Sequence, residues 1–155
     1  MLKKSNIFLF SVICIAIIFM ITAMSCAKST DTKIQTNLKL LSDRFPEFIT
    51  EETAISCCYT ADKYSSYSRI GPDTYHMEGC VKLTDSELKR LLSEYDFSEC
   101  EVIPGDKLSP FLSEYSNVKW HYSKELSYDI TKSNFVGKFY LDTANGIYYF
   151  EVDSN

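Results

Sequence analysis

The chain has 155 residues, 45% of them hydrophobic, and a formal net charge of −5. That is enough for one domain with a real core but not for two. Acids outnumber bases 21 to 16 and no block of Lys or Arg occurs, which excludes the basic footprint needed for nucleic acid and a polybasic grip on anionic lipid.

The first 26 residues carry the strongest signal. Lys3 and Lys4 form a positive region, Ile7 to Ala23 is an almost unbroken apolar run, and Ala23-Met24-Ser25 is a small-residue site before Cys26. This is the layout of an export signal over residues 1–25. It resembles a bacterial lipoprotein precursor, which implies that Cys26 is lipidated and becomes the mature N-terminus. Ala23-Met24-Ser25 also satisfies the rule for ordinary cleavage, which gives a secreted chain. The apolar run also approaches the length of an uncleaved anchor. Lys3 and Lys4 hold the N-terminus inside in all three cases, so the expected location is the extracytoplasmic side of a bacterial membrane. Removing residues 1–25 takes away two lysines and no acid, leaving a net charge of −7.

Residues 26–33 are small and polar and read as a lipidated tether; residues 34–155 read as a single domain. Ile34, Leu38, Leu41 and Phe45 recur at helical spacing, with Asp31 or Thr32 as the cap and Pro46 as the stop. Ala54 to Ala61 alternates as a strand, with Ile55, Cys57 and Tyr59 on one face. After a turn-rich loop at 62–74, a second strand alternates Tyr75, Met77, Gly79, Val81 and Leu83 against His76, Glu78, Cys80 and Lys82. Thr84 to Glu87 is a capping box, opening a helix expected to bury Leu88, Leu91, Leu92 and Tyr95. Residues 96–108 read as irregular. Ser109-Pro110 starts a short helix over 110–116, and Val118 to Tyr122 is a strand around Trp120. Phe135 to Leu141 and Ile147 to Val152 flank Asn145-Gly146, a strong hairpin signal.

The expected class is α+β: an antiparallel sheet of about five strands with two or three helices, in two layers. The run Arg69-Ile70-Gly71-Pro72 with Tyr75, Leu83 and the helix to Tyr95-Asp96 looks like segments of small exported bacterial proteins of uncharacterised activity. The tail FYLDTANGIYYF resembles them too. The resemblance supports a compact α+β domain and transfers no functional residue.

Four cysteines follow Cys26: Cys57, Cys58, Cys80 and Cys100. In an exported chain this even number suggests disulfides, with buried free thiols as the alternative. Metal is the weakest option, because Cys57-Cys58 lacks the spacer of a zinc site. If 54–61 and 75–83 pair across a loop centred near Ser68 or Arg69, Cys58 lies opposite Cys80. In a non-hydrogen-bonded pair their Cα atoms would be about 4.5 Å apart, within disulfide range. Cys57 and Cys100 are then paired beneath the sheet or free.

His76 and His121 lack any partner at metal-ligand spacing, and no nucleophile motif accompanies them. Glu51-Glu52 and Glu99/Glu101 read as solvated carboxylates. Tyr64, Tyr67 and Arg69 sit among serines in the 62–74 loop, the composition of a recognition surface. The leading expectation is therefore a non-enzymatic, membrane-tethered domain that needs no cofactor. It would bind a protein or other envelope component, and an immunity or inhibitor role suits its acidity. The alternatives are a small exported hydrolase or thiol enzyme, and a lipoprotein with a ligand pocket around Trp120.

Overall fold

Alternation in the sequence becomes a single sheet in the computed structural model, which describes residues 33–64, 74–131 and 135–154. The elements are α1 (Leu38–Ser42), β1 (Ala54–Tyr64), β2 (Thr74–Leu83), α2 (Asp85–Glu94), β3 (Ser98–Glu99), a 3-10 turn (Asp106–Leu108), α3 (Ser109–Leu112), β4 (Trp120–Tyr122), α4 (Lys124–Thr131), β5 (Phe135–Asp142) and β6 (Ile147–Ser154). All six strands are antiparallel, in the order β1-β2-β6-β5-β4-β3. The protein is thus a mixed α/β fold whose sheet has one strand more than the sequence suggested.

The period of two divides the sheet into two apolar clusters. Met77, Val81, Phe139, Leu141, Tyr148 and Phe150 join Leu41 of α1, Leu91 of α2, and Leu126 and Ile130 of α4. The alternate positions Cys58, Cys80, Ile147 and Tyr149 join Trp120 and Leu108, with Cys100, Phe111 and Tyr115 packed against them. The segment 100–118 therefore crosses the face that the sequence reading had taken as polar, which is why Cys58 and Cys80 are buried. Gly79 is required by close approach: a Cβ there would lie 2.4 Å from Tyr59 Cβ and 2.9 Å from Cys58 O.

Several elements depart from expectation for identifiable reasons. The first helix does not begin at Ile34, because Gln35 pairs with Tyr59 as a β-bridge; α1 starts only at Leu38, with the Asn37 side chain as its cap. Ile55 is 62% exposed because the register shifts between Ala54 and Ser56, so a bulge turns it off the apolar face. In α2, Leu91 is fully buried but Leu92 is 46% exposed, lying outside the stripe. Thr84 Oγ1 accepts from Glu87 N–H at 3.4 Å. The reciprocal half of the box is absent: Thr84 N–H goes to Thr53 O, and Glu87 instead takes a forked pair of bonds from Arg90 at 2.9 and 2.7 Å.

The helix expected over 110–116 is shorter, and Ser109 is its first residue rather than a side-chain cap. β3 and α4 are additional. α4 is held by Ser127, whose hydroxyl donates to Phe139 O at 3.3 Å and accepts from Phe139 N–H at 3.1 Å. It thereby satisfies β5 where the short β4 has ended. The β5–β6 hairpin forms with Gly146 at φ +60°. Asp142, fully buried, accepts from Ala144 N, Asn145 N and Asn145 Nδ2.

Candidate functional site

Cys26, Tyr67 and Arg69 lie outside the described residues, and of Tyr64 only the backbone, at the end of β1, is described. The structure therefore builds no site from the recognition loop.

The cysteines are placed clearly. Cys58 pairs directly with Cys80 in the register, as the loop-centring argument expected. The class of pair is different. Gln35 exchanges both backbone bonds with Tyr59, at 2.7 and 2.9 Å on the outer side of β1. Its neighbours Cys58 and Thr60 therefore direct their N–H and C=O groups inward to β2, which makes Cys58 and Cys80 a hydrogen-bonded pair. Its Cβ atoms sit at the wide end of the cross-strand range, about 5.5 Å, beyond the roughly 3.5–4.5 Å of a bridge. All four described cysteines are free thiols. Cys57 and Cys100 cannot pair beneath the sheet: they belong to opposite clusters and to the two outermost strands or their continuation, five strand spacings or about 24 Å apart.

Burial pushes the Cys57 thiol up to about 11, with Cys58 adding to it. Burial also raises Cys80 strongly, Cys58 and Glu78 contributing, and raises Cys58 and Cys100. These groups remain thiols near neutrality and are poor nucleophiles. His76 Nδ1 lies 2.9 Å from Asp153 Oδ1, and His121 Nδ1 lies 3.2 Å from Lys119 O. Among the described residues, no set of three or more His, Cys, Asp and Glu side chains is arranged for a metal, and no helix is long and apolar enough to cross a membrane.

Among the described residues, a groove of about 700 Å³ lies between residues 99–103 and 118–120. Glu99, Glu101, Ile103, Val118 and Lys119 line it, and Trp120 closes its floor. Trp120 is buried, its ring 5.6 Å from that of Tyr149, so the indole supports the groove from below instead of opening a deep pocket. Ile103 is 93% exposed. Glu99 and Lys119 approach to 3.6 Å at the rim.

The segment that carries this groove is latched to the sheet. Glu78 Oε1 accepts from Gly105 N–H at 2.6 Å and from Tyr149 O–H at 2.9 Å. Burial, then the bond to Glu78, pushes the Tyr149 phenol far up. In the sequence, 96–108 reads as irregular and the groove is not apparent. Its trace is the alternation of Glu99, Glu101 and Ile103 against Cys100 and Val102. Compared with known proteins, the chain matches no family model, no curated protein and no solved structure.

Proposed function

We propose that residues 34–155 act as an α+β domain tethered outside the bacterial cytoplasmic membrane by lipid on Cys26, and that the domain binds a protein or other envelope component without catalysing a reaction. The observation that carries the binding reading is the open groove beside the sheet edge, with Ile103 presented to solvent. What sets Ile103 apart from the other exposed apolar side chains is its place in a groove with Val118 and the charged Glu99, Glu101 and Lys119, a mix of apolar and polar rim groups that suits a contact surface. The raised thiols weigh against the thiol-enzyme alternative, and the supporting role of Trp120 weighs against a deep ligand pocket. Tyr64, Tyr67 and Arg69 belong to the same proposal as a second contact region.

Export also bears on the thiols. Cys58 and Cys80 would form a bridge only with a backbone shift that draws their Cβ atoms about 1 Å closer, by exchange with a disulfide-bearing oxidant that takes up the two electrons and two protons released. The wide pair spacing would leave that bridge readily reducible. Non-reducing peptide mapping should find it after export, with Cys57 and Cys100 unpaired.

The test uses the full chain in its producing cells, with a photo-cross-linking residue placed in turn at Ile103, Tyr67, Leu92, Tyr128 and Val136. A discrete adduct at one or two positions supports the reading, together with acylated Cys26 in the membrane fraction by mass spectrometry. No adduct at any position would remove the binding reading, and an intact 1–25 segment or unmodified Cys26 would remove the lipid tether.

A further inference from the structure

We infer that the free edge of β3 takes up an extended basic segment of a partner protein as a seventh, antiparallel strand. The inference rests on the protein-binding reading above and specifies which edge beside the groove is engaged and with what chemistry. β3 ends the sheet, and among the described residues no strand lies beyond it. Cys100 N–H donates inward to Trp120 O at 2.9 Å. The alternation therefore directs the N–H and C=O groups of Glu99 away from β4, and exposure continues to alternate over residues 99–103 beyond the strand's end. Unpaired groups on an edge strand are a template for another chain. The opposite edge differs, because Gln35 already pairs with β1 at Tyr59.

Charge selects the occupant. Glu99, with its side chain 67% exposed, Glu101 and Ile103 alternate along one face. Lys119 is the one cation among the groove's lining residues. A second copy pairing about a two-fold axis at Cys100 would set Glu99 against Glu101 of its mate twice over, and like charges directly opposite are destabilising. A partner strand reading apolar-x-basic-x-basic places its apolar residue opposite Ile103 and its two cations opposite Glu101 and Glu99. Backbone bonds then supply affinity and the alternating side chains supply specificity.

The experiment measures amide hydrogen exchange of the full chain with the synthetic peptide acetyl-TVTKTKT-amide, with its acidic counterpart TVTETET, and with a backbone N-methylated form of the first. Exchange at Glu99 and Glu101 should slow at least tenfold with the basic peptide and stay unchanged with the other two. The double variant Glu99→Lys, Glu101→Lys should reverse the preference between the basic and acidic peptides. Unchanged exchange at Glu99 and Glu101 with the basic peptide overturns the inference, as does equal protection by the acidic or N-methylated form. Protection that grows with protein concentration in the absence of peptide overturns it in favour of self-pairing. A partner cross-linked from Leu92, Tyr128, Val136 or Tyr67 but not from Ile103 overturns this edge while leaving the protein-binding reading intact.

Discussion

The two faces of the sheet are stabilised by different means. The helix-covered face is held by apolar area and ring geometry: Phe139 meets Phe45 edge-on at 5.4 Å and stacks on Phe150 at 5.4 Å. The other face mixes thiols, phenols and carboxylates, and its covering segment is fixed by placed hydrogen bonds, chiefly from Gly105 N–H to Glu78 and from Asn145 Nδ2 to Ser116 O. Polar groups are best satisfied where the apolar content is lowest. The helix-covered face instead leaves the Tyr148 hydroxyl without a hydrogen-bond partner. Area tolerates an imperfect polar contact; a latch built from two bonds does not.

The largest test of that contrast is Phe139→Ala, which opens a cavity against three aromatic neighbours and should cost about 3–5 kcal/mol in urea denaturation. A loss below about 1 kcal/mol would show that this face does not rely on ring packing. Glu78→Ala should cost less, about 1.5–3 kcal/mol, by orphaning the Gly105 N–H and the Tyr149 O–H. Its mark should be local: faster amide exchange over residues 100–108 while α2 and α4 stay protected. Uniform loss of protection would refute the latch.

Alkaline pH should separate the faces next. The Cys57 thiol is held up at about 11 against an ordinary value of 9.0, so the folded chain keeps a proton that the unfolded chain releases. Its stabilising contribution is complete below pH 9 and declines as pH rises from about 9 to 11, by up to about 1.4 kcal/mol per pH unit. Cys57→Ala should flatten that part of the pH–stability curve, and an unaltered slope would mean that other groups govern it. The smallest effect is expected for Tyr148→Phe. Removing a desolvated, unpartnered hydroxyl should leave stability within about 0.5 kcal/mol of the parent or raise it. A loss above about 1 kcal/mol would reveal a bond from that hydroxyl.

What was legible in the sequence follows the same physics. Long alternating runs specified β1, β2, β5 and β6 because a one-residue slip would invert every side chain, and the Cys58–Cys80 register followed from the constant sum of paired residues. Leu92 reads as buried because three leucines at 88, 91 and 92 fit a broad stripe, and only packing reveals which one lies at its margin. α4 had a readable start, Ser123 with Leu126 and Ile130 at a spacing of four, but its buried Ser127 reads as polar until its bonds to Phe139 are known. β3 and the groove were hidden for a different reason. The alternation over 99–103 is short and only Ser98 and Glu99 pair with β4, so its partner is specified by tertiary position alone.

The Gln35 bridge decides where mechanical tension would enter the domain. With lipid on Cys26, a pull through the tether would reach the sheet mid-strand at Tyr59, through two backbone bonds of 2.7 and 2.9 Å, before it reached α1. Two such bonds at an edge can peel one after the other. The first few ångströms of extension would then be taken up by residues 33–37 while Leu41, Phe45 and Ile49 stay seated in the core. Under the proposed lipid attachment, the bridge would work as a mechanical fuse between the tether and the sheet.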